Sequence, residues 1–155
     1  MSKGDRLMGI IKHYFMPNAY LKSAFEINID KLADTGVKGI ITDLDNTLVG
    51  WDVVAPTEQI KQWFKEAREK GIQITIVSNN NEQRVGEFSK DLNVDFICKA
   101  RKPMGKAFKK AIKQMNIKPN ETVVIGDQML TDVFGGNRNG LYTIMVAVSY
   151  THLRA

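Results

Sequence analysis

The stretch Gly39-Ile40-Ile41-Thr42-Asp43-Leu44-Asp45-Asn46-Thr47-Leu48 decides how the chain is read. An apolar run stops at two aspartates separated by one residue, and a polar loop follows. Buried strands of parallel sheets read as short apolar runs, because both of their faces are covered. In such sheets ligands gather just beyond the carboxyl ends of the strands. Asp43 and Asp45 therefore stand where chemistry is usually done. Alone, an Asp-x-Asp is as readily a turn or a cap, since turns are rich in aspartate.

Downstream of this stretch, strand and helix signals alternate. A helix is predicted after Pro56, with Thr57 as its N-cap and Gly71 as its stop. Ile60, Trp63, Phe64 and Ala67 form its apolar face. A second strand over 72–77 ends at Ser78-Asn79-Asn80, and a helix carrying Val85, Phe88 and Leu92 follows. A short strand over 96–98 leads to Lys102 and to Pro103, a residue suited to the first turn of the next helix. That helix presents Phe108, Ala111, Ile112 and Met115 at helical spacing. A strand over 122–125 ends in Gly126-Asp127, a brief helix is read over 131–134, and a last strand runs over 141–148. Such alternation implies parallel strands with right-handed crossovers. The expected fold is a doubly wound, Rossmann-like α/β three-layer sandwich with a mainly parallel sheet.

Residues 1–36 differ from this pattern and are read as a helical extension packed on or beside the core, which spans 37–148. Leu7, Ile10, Ile11, Tyr14 and Phe15 recur at helical spacing, with Lys3, Arg6, Lys12 and His13 among them. A second short helix is expected over 20–25, and Asn28 offers a cap for a third. The basic amphipathic start leaves two readings open: it packs on the sheet, or it rests on an anionic membrane surface. Residues 149–155 read as a non-native or truncated ending, so His152 is given no functional weight.

A chain of 155 residues suits one domain with its own core. Its 43% hydrophobic and 25% charged content is ordinary for a soluble globular protein. The lone Cys98 excludes an intramolecular disulfide and fits a reducing, cytoplasmic setting. Neither a secretory signal nor a membrane span is read. A net charge of +5 biases the protein towards anionic partners without choosing among them. Most of the run Lys99, Arg101, Lys102, Lys106, Lys109, Lys110 and Lys113 falls opposite an apolar helix stripe, as a solvated face would; its functional reading is a field that steers anions. His13 and Cys98 lack partners at zinc-ligand spacing.

Placed on this scaffold, the polar residues concentrate at strand ends: Asp43 and Asp45, then Ser78, then Lys102, then Asp127 and Asp132. These are the parts needed for phosphoryl transfer to a carboxylate. An aspartate at a strand end can be held in line with phosphorus. Its charge repels a phosphate dianion, so a cation must lie between them. Mg²⁺ suits a few carboxylate or carbonyl oxygens and retained waters. Asp43, Asp127 and the main-chain carbonyl of Asp45 could hold it. Lys102 and Ser78 would stabilise developing charge. Backbone N–H groups of residues 44–47 could form an anion nest. Asp45 could move protons as general acid and base.

The order Asp43-Leu44-Asp45-Asn46-Thr47-Leu48, a strand ending at Ser78, Lys102-Pro103 and Gly126-Asp127 with Asp132 resembles the four motifs of the haloacid dehalogenase (HAD) superfamily of phosphatases. The resemblance implies that Asp43 is a nucleophile forming an aspartyl-phosphate and Asp45 the acid/base. It implies that Thr47, Ser78, Asn79 and Lys102 attend the phosphoryl group, and that Asp127 and Asp132 complete a Mg²⁺ site with Asp43 and Asp45. An aspartate as acid/base points to a phosphomonoesterase. The loops after the first motif and between the second and third are too short for a cap domain, so a bulky substrate or a covering partner is expected. Phe15-Met16-Pro17-Asn18 and Phe25-Glu26-Ile27 resemble the capless IIIA, YqeG-type branch, similar to the phosphatidylglycerophosphate phosphatases. That implies a lipid phosphate at the inner face of a membrane as substrate and no nucleic-acid partner. The competing readings are a soluble nucleotide, sugar or nucleic-acid-end phosphate, a phosphotransferase, and a non-catalytic basic module that binds nucleic acid or membrane.

Overall fold

The structure, a computed structural model, describes residues 2–147. The reading of residues 149–155 as a foreign tail, with His152, lies outside the described residues. Six parallel strands form one sheet: β1 (Ala19–Leu21), β2 (Gly39–Thr42), β3 (Gln73–Val77), β4 (Asp95–Ile97), β5 (Thr122–Gly126) and β6 (Tyr142–Val146), in the order β1-β6-β5-β2-β3-β4. The helices are α1 (Lys3–Phe15), α2 (Ile29–Asp34), α3 (Glu58–Glu69), α4 (Glu82–Lys90), α5 (Gly105–Met115) and α6 (Phe134–Arg138).

Alternation along the strands separates two cores, one on each face of the sheet. Ile40, Val123 and Ile125 face a large cluster with Ile60, Trp63, Phe64, Val85 and Phe88 from α3 and α4. Ile41 and Val124 face a smaller one with Phe108, Ala111, Ile112 and Met115 from α5. The three-layer, doubly wound α/β architecture expected from the sequence is therefore the one observed. The local signals for α3 hold as well: Thr57 Oγ1 accepts from the Ile60 N–H at 3.3 Å, and Gly71 takes φ +76° after the last turn.

The sheet order creates a switch point. From β2 the chain winds outward through β3 to β4, then crosses by α5 to β5 and β6 on the other side of β2. The carboxyl ends of β2 and β5 thus flank the crevice in which such sheets bind ligands.

Four local expectations are corrected. Residues 20–25 do not form a helix. Ala19–Leu21 is an edge strand on β6, fixed where Asn18 Oδ1 accepts from the Thr143 N–H at 2.8 Å, and Ala24–Glu26 is one tight helical turn. A three-residue strand is too short to show its period. Pro103 lies ahead of α5, which begins at Gly105 with Met104 as its cap. The helix read over 131–134 is a wide π-type turn over Met129–Val133 that runs into α6. The short strand spans Asp95–Ile97, one residue earlier than expected.

Candidate active site

Asp43 extends the β2 ladder by one residue, its N–H donating to the Ile125 carbonyl at 3.0 Å. Asp127 stands across the switch point at the end of β5. Asp132 reaches back over that strand end because residue 126 is glycine: a Cβ there would lie 2.2 Å from the Asp132 carboxyl carbon. The wide turn over Met129–Val133 makes the return, a geometry frequent at functional sites. One carboxylate oxygen from each of Asp43, Asp127 and Asp132 lies within 4.8 Å of the others.

Lys102 enters this cluster as a buried ammonium, donating to Asp132 Oδ1 at 2.6 Å and to Asp43 Oδ1 at 3.1 Å. Its backbone is held on both sides by Asn79, whose Oδ1 accepts the Lys102 N–H at 2.8 Å and whose Nδ2 donates to the Lys102 carbonyl at 3.4 Å. The other basic residues of the 99–113 run are exposed, as a solvated face requires. Thr47 is buried and donates its hydroxyl to Asp127 Oδ1 at 3.2 Å. Buried Ser78 accepts from the Asn80 N–H at 3.1 Å, which leaves its own hydroxyl hydrogen to point elsewhere. The expected nest of N–H groups over 44–47 is only half present. Asn46 and Thr47 donate to the Val49 and Leu44 carbonyls, leaving Leu44 and Asp45 without a backbone acceptor among the described residues.

The electrostatics of the cluster follow from burial and like charge. Burial pushes Asp127 up to about 7, helped by Asp43 and Asp132 and opposed by the Thr47 hydrogen bond. Burial likewise pushes Asp132 up to about 6, with Asp43 adding to the rise and Lys102 working against it. For Lys102, burial disfavours the ammonium, but Asp132 and Asp43 outweigh it and raise its pKa above the ordinary lysine value. Three carboxylates face one lysine, so ionisation leaves a surplus of negative charge. All the donors are hard oxygens. Such a set fits a small divalent cation that keeps part of its water shell.

Asp45 is engaged by different groups. Its Oδ1 accepts from Arg84 Nε at 3.1 Å and Nη2 at 2.9 Å, and its Oδ2 from Asn80 Nδ2 at 2.9 Å. Arg84 also donates to the Val53 carbonyl through Nη1 and to the Gly50 carbonyl at 3.3 Å, tying α4 to the loop after the first motif. Neither Arg84 nor Asn80 was singled out from the sequence. The available signal was positional: α4 begins just past the end of β3, so its first-turn side chains lie at the edge that carries Asp45. No cap domain covers this edge among the described residues, since 43–57 is loop and 78–94 contains only α4.

Comparison with known proteins agrees with this geometry. The family described as "Hydrolase: haloacid dehalogenase-like hydrolase" matches residues 8–140. The chain is 56% identical over 137 residues to "Probable phosphatase YqeG" of Bacillus subtilis, covering 88% of this chain and 80% of that one. It is 25% identical over 150 residues to "Phosphatidylglycerophosphate phosphatase 1, chloroplastic/mitochondrial" of Arabidopsis thaliana, covering 86% of this chain but 41% of that longer protein. Among solved structures, the cobalt-bound deoxy-D-mannose-octulosonate 8-phosphate phosphatase of Haemophilus influenzae shares the fold at TM-score 0.58 and 17% identity, over 77% of this chain and 82% of that one. With motif order, sheet topology and sequence in agreement, this chain belongs to the haloacid dehalogenase-like hydrolase family, as one of its phosphatases.

Proposed function

We propose that the protein hydrolyses a phosphate monoester of a membrane lipid, of the phosphatidylglycerophosphate kind, through a covalent phosphoryl intermediate on Asp43. The observation that carries this reading is the pairing of Asp43 with Lys102, Asp127 and Asp132 across the switch point, on an edge that no cap covers among the described residues. Asp43 is the carboxylate at the focus of the cluster. Asp127, Asp43 and the main-chain carbonyl of Asp45 would hold Mg²⁺, which supplies charge neutralisation between nucleophile and phosphate. Asp132 is tied up chiefly with Lys102, so it completes this arrangement from behind the lysine.

In the first half-reaction an Asp43 carboxylate oxygen attacks phosphorus and the bond to the leaving alkoxide breaks. Asp45 donates the proton that the leaving oxygen takes up. Lys102 and the Ser78 hydroxyl meet the charge that grows on the phosphoryl oxygens. In the second, Asp45 takes a proton from water as that water attacks phosphorus, the bond to Asp43 breaks, and inorganic phosphate leaves. Thr47 and Asn79 act one step removed: Thr47 orients Asp127, and Asn79 fixes the backbone of Lys102. Arg84 and Asn80 hold the Asp45 carboxylate in place.

The lipid assignment draws support from the similarity to the Arabidopsis phosphatase, from the open edge, which admits a substrate anchored in a surface, and from the net positive charge. The cobalt-bound fold neighbour supports a divalent metal. The test is phosphate release from phosphatidylglycerophosphate vesicles and from a panel of soluble phosphate esters, with Mg²⁺ and then with EDTA, using Asp43→Asn as control. Turnover of the lipid that EDTA abolishes is expected. Activity confined to soluble sugars or nucleotides would replace the lipid reading while leaving the chemistry intact.

A further inference from the structure

We infer that the exposed apolar side of α1, together with exposed Leu130, seats the catalytic edge on an anionic lipid bilayer. This rests on the lipid-phosphate reading above and adds the surface that would serve it. The helix is well formed: Ser2 Oγ accepts from the Asp5 N–H at 3.0 Å while Asp5 Oδ2 accepts from the Ser2 N–H at 3.0 Å, a reciprocal cap. Yet none of its 13 residues is buried. Helical spacing puts Leu7, Ile10 and Ile11 on one side with Met8 at its border, and these are 60%, 53%, 38% and 53% exposed. An amphipathic helix usually turns that side to a core. Here Leu7, Met8 and Ile10 stay more than half exposed, and only the Tyr14–Phe15 end of that side is packed, on Phe134.

The specific side-chain contacts that hold it lie at its last turn. Phe15 stacks on Phe134 with ring centroids 4.8 Å apart, and Asn137 Nδ2 donates to the Tyr14 and Met16 carbonyls at 3.1 and 2.9 Å. Beside α6 the helix also packs against Met129–Val133. That turn carries Asp132 and exposes Leu130 at 65%. The helix with the exposed apolar side thus packs against the turn that carries a residue of the proposed phosphate site.

Charge selects the occupant. Lys3, Arg6 and Lys12 share the helix with a single acid, Asp5, already engaged by Ser2. Two copies meeting through this face would bring like charges together. An anionic headgroup layer attracts them, and an interfacial helix of this kind lies in the membrane plane with its apolar side in the acyl boundary. Seated so, the protein would present the β2 and β5 ends to phosphates in the headgroup layer.

The full chain is tested by flotation with vesicles of phosphatidylglycerol and phosphatidylcholine, and with pure phosphatidylcholine, without substrate. The doubly substituted Leu7→Glu/Ile10→Glu and the single Leu130→Glu variants are assayed in parallel, together with hydrolysis of soluble p-nitrophenyl phosphate. Wild type should bind the anionic vesicles and not the neutral ones. The double variant should lose roughly tenfold or more of that binding, Leu130→Glu less, and both should keep the soluble activity within about twofold. Absent wild-type binding, unchanged binding by the double variant, or equal binding to neutral vesicles would overturn the assignment. So would a wild-type dimer in light scattering that the double variant converts to monomer. Hydrolysis of phosphatidylglycerophosphate in detergent micelles without vesicle binding would remove the docking face and leave the substrate reading standing. Vesicle binding with turnover of soluble esters alone would do the reverse.

Discussion

Asp43 and Asp45 are separated by one residue, yet the fold gives them opposite electrostatic surroundings. Asp43 shares a buried cluster with two further carboxylates and a single ammonium, where negative charge is in excess. Asp45 is met by a guanidinium fork and an amide, with no second carboxylate hydrogen-bonded to it among the described residues. The first environment is built to attract a divalent cation and, through it, a phosphate. The second fixes one carboxylate in one orientation without a metal. Sequence spacing alone assigns the two residues the same address; their neighbours divide the labour.

The largest effect expected is from removing the proposed nucleophile. Asp43→Asn should abolish phosphate release, on the order of 10⁴-fold or more, with the circular dichroism spectrum and oligomeric state unchanged. Full activity in that variant would dissolve the distinction between the two aspartates. Next comes the one cation paired with Asp43 among the described residues. Lys102→Met should lower kcat by roughly 10²–10³-fold, because charge growing on the transferring group loses its fixed partner. It should also lower thermal stability, because three carboxylates then face one another around an apolar side chain. Steady-state kinetics and calorimetry on the same preparation read both effects.

The contrast also marks how far sequence reading could reach. The parallel sheet, α3, α4 and α5 and the four strand ends were legible because each rests on local signals: apolar runs, helical stripes, and caps such as Thr57 and Gly71. The convergence of Asp43, Lys102, Asp127 and Asp132 followed from the switch-point rule, since strand order fixes which ends meet. What the sequence could not display was contact made across the fold by ordinary-looking residues. Arg84 is one charge on an amphipathic helix until α4 is placed against the loop holding Gly50 and Val53. Asn79 and Thr47 looked like substrate contacts, and their hydrogen bonds within the protein go to Lys102 and Asp127. The strand over Ala19–Leu21 exists only because β6 offers an edge to pair with.

A smaller effect tests the Asp45 side. Arg84→Ala frees one end of the Asp45 carboxylate and the loop tied to it, and should lower kcat by about 10–10²-fold with KM little changed. A merely structural role predicts instead a loss of stability in proportion to the loss of rate. Arg84→Lys should fail to restore kcat, because an ammonium cannot reproduce the fork that meets Asp45 while reaching the Gly50 carbonyl. Rescue by lysine would show that charge alone suffices and that orientation of Asp45 is not what Arg84 supplies.

The smallest effect is on stability, and it reads the charge surplus directly. In the folded protein Asp127 is pushed up to about 7 and Asp132 up to about 6, from an ordinary value of 3.8. Between roughly pH 4 and pH 7 the folded state therefore holds more protons than the unfolded chain at these two positions. Their contribution to metal-free stability is greatest at the acid end of that window and falls as pH rises through it, levelling off above. In EDTA the melting temperature should decline across the window for this reason. Mg²⁺ competes with those protons, so its stabilising shift should be largest near pH 8 and fade towards pH 5. Asp127→Asn removes the more strongly raised carboxylate. It should flatten the decline in EDTA, melt above wild type at pH 8, and lose most of the Mg²⁺ response. A variant that keeps the wild-type slope and the full Mg²⁺ shift would mean that the excess charge resides elsewhere, and the proposed difference between the two aspartates would lose its electrostatic basis.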